Sequence, residues 1–339
     1  MSFIIIGENV HTTRVIRRRD RRVGPDERGR ESIAFVDEDG AERRLPISPA
    51  EQATMEYEEG RIKHVRTALR LAMAEGEDAA VALAYLRAVA IHQVRAGAAY
   101  LDVNVDEVSL KLPDQIAAMV WLAGRLSAAV DVPLSIDSSN LEIIEAGIDA
   151  ADRHAGPPML NSASLERLEA LELAVASGGP VVITAAGDAG MPSGADERVE
   201  HVARMVAHAQ ARGIGDDRLF IDPLVFPISV DGAFGHDCLD AIREIRRRWP
   251  DAHITGGMSN VSFGLPNRRC INDAFLVMAI EAGADSGIVD PILNPPARAL
   301  EADRSAPPFQ LALDVLTGAD RNCKAFLRAS RAGTFEVAA

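Results

Sequence analysis

Short apolar runs, each followed by a longer stretch with helical spacing, recur along most of the chain. Polar residues or glycines bound the apolar runs, and the helical stretches are rich in Ala, Leu, Glu and Arg. Alternation of this kind is typical of parallel βα units. The predicted strands are Phe3–Ile6, Ala99–Val103, Pro133–Ile136, Pro158–Leu160, Val181–Ala185, Leu219–Ile221, His253–Thr255 and Ser286–Val289.

Eight such units favour a closed (β/α)8 TIM barrel, in the α/β class. The alternative is an open, doubly wound sheet, which usually carries a glycine-rich fingerprint after its first strand. That place reads GENVH here, at 7–11. A length of 339 residues also suits two average domains. We predict one barrel domain over residues 1–339.

The first connection between strand and helix is unusually long. More than ninety positions separate the first two predicted strands, so we expect an insertion over residues 12–76. It holds a dense arginine cluster at 14–30 and a predicted hairpin turn at Asp39 and Gly40. The cluster is either a solvated flap or a clamp for an anionic ligand or partner. Residues 292–339 are predicted to form a C-terminal helical segment.

Composition and charge narrow the functional classes. Hydrophobic residues make up 47% of the chain, as in ordinary globular proteins. The formal net charge of −14 argues against binding to nucleic acid, because such binding relies on a basic surface. Cys238, Cys270 and Cys323 are odd in number and far apart, which is typical of a reducing compartment, so we expect a cytoplasmic protein. The first apolar run is too short for a signal peptide or a membrane span.

Carboxylates and amides follow the predicted strands almost without exception. In a barrel, the residues at the carboxyl ends of the strands form the active site. Any one of these residues alone is as well explained as a helix cap or turn former, but several stand directly at a strand terminus. We therefore expect them to share one ligand. They are Glu8, Asn9, Asp102, Asn104, Asp137, Asn161, Asp222, Ser259, Asn260 and Asp290.

Acceptors and amides without a histidine pair or a thiolate cluster suit a neutral heterocycle that is rich in donors. A pterin edge offers ring N–H and amine groups to carboxylates, while its carbonyl accepts from amides. The chain has no HExxH, Gly-x-Ser-x-Gly or GK[ST] motif, and we expect no bound metal. Asp251, His253 and Gly256 match the DxHxxG signature of corrinoid-binding domains, but the later elements of that signature are missing.

Five motifs in order carry a family resemblance over roughly two hundred residues, from Gly97 to Pro291. They are LDVNV (101–105), IDSSN (136–140), MLNSAS (159–164), IDPL (221–224) and SNVSFGLPNR (259–268). Together with GEN at the start, they resemble the methyltetrahydrofolate:corrinoid methyltransferases, a pterin-binding family that includes the folate module of cobalamin-dependent methionine synthase. Dihydropteroate synthase is a related family, but its strand-seven lysine motif is replaced here by SNVSFG.

The resemblance implies roles for individual residues. Asp137, Asn161 and Asp222 hold the pterin ring, Asn104 lines the pocket, and Asn260 hydrogen-bonds the ring nitrogen that bears the methyl group. Arg268 contributes to the same site, and a homodimer is implied. The chain departs from the family in its arginine-rich insertion, in Asp106 and Glu107 after the NV pair, and in its long tail.

The function that the sequence predicts is transfer of the methyl group of 5-methyltetrahydrofolate to or from the cobalt of a corrinoid on a separate protein. Asn260 and Asp137 are the predicted catalytic residues, since the pterin nitrogen must gain a proton as its bond to carbon breaks. The cobalamin would arrive with its own carrier protein. Two alternatives are an enzyme like dihydropteroate synthase and a module that binds folate without catalysis.

Overall fold

The structure, a computed structural model, describes residues 3–335. Its strands are β1 (Ile4–His11), β2 (Val15–Arg17), β3 (Val23–Pro25), β4 (Glu31–Val36), β5 (Glu42–Pro46), β6 (Arg61–Lys63), β7 (Tyr100–Asn104), β8 (Leu134–Asp137), β9 (Met159–Ala163), β10 (Val181–Thr184), β11 (Leu219–Asp222), β12 (His253–Ile254) and β13 (Ser286–Val289).

Helices alternate with the later strands, as predicted. They are α1 (Pro49–Gln52), α2 (Met55–Glu58), α3 (His64–Met73), α4 (Ala79–Arg95), α5 (Leu112–Ser127), α6 (Leu141–Ala150), α7 (Glu169–Ser177), α8 (Ala195–Ala211), α9 (Phe234–Arg248), α10 (Arg268–Ala282), α11 (Pro296–Leu300), α12 (Pro307–Leu316) and α13 (Lys324–Arg331).

Eight strands form one sheet in the order β12, β11, β10, β9, β8, β7, β1, β13. The sheet closes where the backbone N–H of Ile288 donates to Gly256 O at 2.9 Å and a parallel bridge joins Gly257 to Ile288. Each of the eight predicted strands is present, and the predicted TIM barrel is confirmed.

The described residues divide into two compact units, one of Gly7–Asn161 and one of residues 3–6 with 162–335. In the first unit, β3, β4 and β5 form an antiparallel sheet. The β4–β5 hairpin turns at Asp39 and Gly40, where Gly40 has a φ of +86°. The predicted hairpin is confirmed, while the bounds 12–76 for the whole insertion stay a prediction.

Ion pairs engage much of the arginine cluster. Arg18 contacts Glu31 at 3.0 Å, and Arg30 contacts Asp26 and Asp78, both at 2.8 Å. These internal pairs favour the solvated flap, since a paired guanidinium has less charge to offer a ligand. Arg17, Arg19 and Arg21 are exposed.

The first strand differs from its prediction at its C-terminal end. We expected it to end at Ile6, with Glu8 and Asn9 after it, but β1 continues to His11. The continuation is held at its end by the backbone N–H of Thr12, which donates to Asn104 O at 3.1 Å. Glu8 and Asn9 are therefore strand residues, and their side chains point to opposite faces.

The second unit carries the last strands and the C-terminal helices. In α9, Cys238, Leu239, Ile242 and Ile245 are buried at helical spacing, and the opposite face bears arginines. Residues 336–339 of the predicted C-terminal segment lie outside the described residues, and the bounds 292–339 remain a prediction. No helix within residues 3–335 is long and apolar enough to cross a membrane.

Close packing of α6 on β8 fixes the strand that ends in Asp137. A Cβ at Gly147 would lie 2.6 Å from Cγ2 of Ile136 and 2.8 Å from Cγ of Met119, both of which are fully buried. Atoms this close overlap, and Ile136 is branched and cannot turn away. Only glycine lets the helix approach the strand at this point.

We predict that Gly147→Ala lowers the free energy of unfolding by about 1–3 kcal/mol, because the overlap outweighs the gain in helix propensity. Denaturant unfolding measures the change. Gly124→Ala is the matched control, since Gly124 also lies inside a helix but its Cβ would be 3.5 Å from its nearest neighbour outside that helix, the backbone oxygen of Ala150. An equal effect of both substitutions would contradict the role of this contact.

Candidate functional site

Three neighbouring strands carry a row of polar side chains in the first unit. In register, Asn104 of β7 stands beside Asp137 of β8, and Asp137 stands beside Asn161 of β9. Asn104 Nδ2 donates to Asp137 Oδ2 at 2.8 Å, and Asn104 Oδ1 accepts from the backbone N–H of Asp106 at 2.9 Å. The two bonds fix which way the Asn104 amide faces.

Asp137 has a second partner, His11, at the end of β1. His11 Nε2 lies 3.3 Å from Asp137 Oδ2, and His11 Nδ1 lies 2.6 Å from Thr13 Oγ1. Burial lowers the pKa of His11, but the hydrogen bond and the charge of Asp137 outweigh it, and the pKa is raised. Asp137 and His11 both keep part of their side chains exposed, 27% and 23%.

Asp102 lies deeper in the same unit. It is 3% exposed, and its Oδ1 accepts from Ser135 Oγ at 2.7 Å and from Asn161 Nδ2 at 3.1 Å. Burial raises the pKa of Asp102 and the charge of Asp137 raises it further, against the effect of its two hydrogen bonds. Because the amide nitrogen of Asn161 points to Asp102, the amide oxygen of Asn161 is directed away from Asp102.

The departures from the family pattern have structural roles here. Asp106 accepts from Ser138 Oγ at 2.5 Å and from the backbone N–H of Ser139 at 3.0 Å, so it ties the loop after β8. Glu107 pairs with Lys63 of β6 at 2.5 Å. Both side chains are thus held by other segments of the first unit, Asp106 by the loop after β8 and Glu107 by β6.

Two predicted site residues lie on β1. Glu8 pairs with Arg14 at 3.0 Å. The backbone N–H of Asn9 donates to Gln93 Oε1 at 2.9 Å, while the buried Asn9 Oδ1 has no hydrogen-bond partner among residues 3–335. An unpartnered buried acceptor is costly, and a ligand donor would relieve that cost.

Asp222 ends β11 in the second unit. Its Oδ1 accepts from the backbone N–H of Leu224 at 2.7 Å, and a Cβ at Gly256 would lie only 3.0 Å from that oxygen. Burial raises the pKa of Asp222 to about 6, which the Leu224 bond and the charge of Arg198 partly oppose. Glycine at 256 is needed beside this carboxyl group, and its φ of +155° also favours glycine.

A buried arginine supports the loop after Asp222. Arg198 of α8 has no exposed surface, donates from Nε to Pro223 O at 2.9 Å, and lies 4.9 Å from the ring centre of Phe226. Its two terminal nitrogens have no partner among the described residues. The loop contains Leu224 at a φ of +68°, a conformation that costs a residue with a Cβ about 1–2 kcal/mol.

Asn260 and Ser259 lie in a 3-10 helix, Met258–Ser262, and not at the end of a strand as the sequence suggested. β12 ends earlier, at Ile254. A Cβ at Gly257 would lie 2.7 Å from Asn260 Nδ2, so the amide rests on a bare backbone. Within the described residues, the Asn260 side chain makes no hydrogen bond and is available to a ligand.

Arg268 holds the segment that carries Asn260. Its Nη2 donates to Ser259 O at 2.7 Å, its Nε donates to Ser262 Oγ at 2.9 Å, and its guanidinium lies 4.3 Å from the ring centre of Phe263. Arg268 is thus tied to the backbone and side chains of the 3-10 helix. Its direct role toward a ligand stays a prediction.

Asp290 and His253 are both engaged within the second unit. Asp290 Oδ1 accepts from the backbone N–H groups of Ile292 and Leu293, each at 3.0 Å, as a turn former does. His253 lies in β12, where its Nδ1 is 2.9 Å from Asp285 Oδ2 and its ring stacks on Phe220. The DxHxxG match is therefore part of a barrel strand.

Sequence reasoning missed His11 and Arg198. Because strand side chains alternate, Asn9 and His11 face the same way once β1 is extended, and this period of two was the signal for His11. Arg198 gave no such signal, since an arginine on an amphipathic helix is expected at the surface.

Comparison with known proteins identifies the family. The sequence model of the pterin binding enzyme family matches residues 72–290. The chain is 31% identical over 258 residues to the methylcorrinoid:tetrahydrofolate methyltransferase of Eubacterium limosum, covering 74% of this chain and 88% of the relative. The chain therefore belongs to the pterin-binding enzyme family, in the group of the corrinoid-linked tetrahydrofolate methyltransferases.

Other relatives share parts of the chain or its fold. A methionine synthase of Mycobacterium leprae is 32% identical over 216 residues, which are 59% of this chain but 17% of that protein. Dihydropteroate synthase from Stenotrophomonas maltophilia superposes with a TM-score of 0.53 at 20% identity, over 65% of this chain and 86% of the synthase. At 20% identity, this similarity shows only that the two proteins share the barrel fold.

We predict that Asp222→Asn stabilises the folded protein near pH 7.5 but not near pH 4. The pKa of Asp222 rises from 3.8 to about 6 on folding, so the folded protein holds this proton more tightly. The stability that this proton contributes is fully present below about pH 4 and is lost as the pH rises through about 6. Asparagine stays neutral and keeps an acceptor for Leu224, so we expect a gain of about 1–3 kcal/mol at the higher pH.

Denaturant unfolding of both proteins across this pH range measures the effect. Asp188→Asn is the control, because Asp188 pairs at the surface with Arg204 at 2.8 Å and its pKa is lowered. That substitution should give no gain at pH 7.5. A pH-independent difference for Asp222→Asn would contradict the assignment.

Proposed function

We propose that the protein transfers the methyl group of 5-methyltetrahydrofolate to or from the cobalt of a corrinoid carried by a separate protein. The observation that supports this most is the amide of Asn260. It is poised over Gly257 without a partner among the described residues, and it belongs to the motif that resembles the methyltransferases. Asn260 is partly exposed, so a ligand can reach its amide.

The pterin ring is proposed to bind through Asp137, Asn161 and Asp222, with Asn104 beside Asp137. The chemistry of these groups fits the ring, because carboxylate oxygens accept from its N–H and amine groups and amides pair with its carbonyl. Asp222 keeps one carboxyl oxygen outside its bond to Leu224, and the Asn161 amide is oriented by Asp102. Asn9 Oδ1 offers a further acceptor.

The chemical difficulty lies in the leaving group. The methyl group leaves a ring nitrogen, which must take up a proton as the carbon–nitrogen bond breaks, while reduced cobalt supplies the electron pair for the new bond. A hydrogen bond that strengthens as the nitrogen gains its proton lowers the barrier selectively. Asn260 is proposed to make this bond, since an amide accepts from an N–H without needing a charge.

The remaining parts of this proposal come from the sequence and the relatives. The corrinoid would be supplied by a carrier protein, the protein would work in the cytoplasm, and a homodimer is its expected assembly. Arg268 is proposed to contribute by holding the 3-10 helix that carries Asn260.

Mixing the protein with 5-methyltetrahydrofolate and free cob(I)alamin tests the function. We expect the absorption spectrum of methylcobalamin to appear at a rate that depends on the protein concentration. Binding of the folate without any transfer would instead indicate a folate-binding module and would refute the enzyme assignment.

We predict that Asn260→Ala lowers turnover by about 10²–10³-fold with a much smaller effect on folate affinity, by analogy with the loss of a donor that acts in the transition state. Methylcobalamin formation measures turnover, and fluorescence or calorimetric titration measures the dissociation constant.

Asn267→Gly is the matched control. Asn267 lies in the same segment, but its amide donates to Ser330 at the surface at 2.9 Å, and its φ of +50° suits glycine. This variant should keep its turnover. If Asn260→Ala lost affinity and turnover equally, Asn260 would be a binding residue only.

A further inference from the structure

The contact between His11 and Asp137 has a use beyond binding, and the argument for it rests on the proposed function. His11 closes β1, and its imidazole lies between Asp137 Oδ2 at 3.3 Å and Thr13 Oγ1 at 2.6 Å. Both ring nitrogens are thus engaged, one by a carboxylate and one by a hydroxyl.

This pair of partners suits both protonation states of the ring. When His11 is neutral, Nε2–H donates to Asp137 and Nδ1 accepts from the Thr13 hydroxyl. When His11 is protonated, Nδ1–H donates to the same oxygen, because a hydroxyl can give or receive a hydrogen bond. Protonation of Nδ1 gives up only the long bond that the backbone N–H of Thr13 donates to it at 3.4 Å. A proton that leaves through Asp137 leaves from Nε2, so the neutral ring left behind carries Nδ1–H, which donates to the Thr13 hydroxyl.

The charges around the imidazole favour the protonated form. Asp137 faces it from the end of β8, Asp102 from β7, and Asp106 from the loop after β7. The nearby cation on its own segment, Arg14, is turned toward Glu8 at 3.0 Å. Burial opposes the carboxylates, but their combined effect is larger and the pKa of His11 is raised.

We propose that His11 is the proton reservoir of the methyl transfer, holding the proton that Asp137 passes to the pterin nitrogen. The carbon–nitrogen bond breaks, its electron pair stays on nitrogen, and nitrogen takes the proton. Cobalt(I) gives two electrons to the new bond to carbon and becomes cobalt(III), and the imidazole is left neutral. In the reverse direction the same proton returns to His11, so the role holds whichever direction the cell uses.

His11 does not contact the reacting atoms in this scheme and acts through Asp137, so it is a positioning and proton-holding residue. A purely structural histidine would shift affinity or folding, whereas a reservoir shifts the dependence of turnover on pH. The two roles therefore predict different results for the same substitution.

The experiment compares His11→Gln with the unchanged protein in the transfer from 5-methyltetrahydrofolate to free cob(I)alamin, from pH 5.5 to pH 8.5. Glutamine keeps a donor for Asp137 but holds no extra proton. We expect the folate dissociation constant to stay within about threefold, turnover near pH 7 to fall about tenfold or more, and the decline of turnover with rising pH that belongs to His11 to disappear.

His253→Gln is the matched control, because His253 also pairs with an aspartate, Asp285, at 2.9 Å, but has no part in the proposed site. Its pH profile should match that of the unchanged protein.

The outcomes separate the two proposals. If the unchanged protein transfers no methyl group, the proposed function fails. If it does transfer, and His11→Gln keeps the same pH profile, or loses folate affinity as much as turnover, only the reservoir is overturned.

Discussion

Burial of carboxyl groups on parallel strands is the constraint on which this molecule depends. The barrel carries Asp102 and Asp222 to places where water is scarce, and desolvation penalises their charged forms. Each is stabilised locally, Asp102 by Ser135 and Asn161, and Asp222 by the backbone N–H of Leu224. The result is a set of acceptors whose positions are fixed and whose affinity for protons is raised.

The fold could be predicted from the sequence because its signal is local and repeated. Apolar runs such as 181–184 and 219–222 are buried almost throughout, and each is followed by a helix of regular spacing. Prediction failed where polar residues continue a strand. Val10 is buried between Asn9 and His11, and the backbone of Thr12 bonds to Asn104, a long-range contact that no local pattern reveals.

The candidate residues were predicted for a different reason, namely their position after strands and their motifs. That reasoning located Asn104, Asp137 and Asn161, which the register aligns. It gave no information on the hydrogen bonds of each side chain. Asp290, which bonds within a turn, and Asn260, whose side chain has no partner among the described residues, were therefore equally good candidates. Since barrels of this kind serve different reactions, the bonding of each side chain, and not the fold, distinguishes the chemistry.

The buried guanidinium of Arg198 makes one helix and one loop inseparable. The loop after Asp222 keeps Leu224 in a left-handed conformation, and Arg198 is the side chain beneath it that bonds to Pro223 and stacks on Phe226. If this loop were transplanted onto another barrel without α8, the strained conformation of Leu224 would be transferred without the Arg198 contacts that stabilise it. In evolution, likewise, residues 198 and 222–226 are expected to change together, as one inherited module.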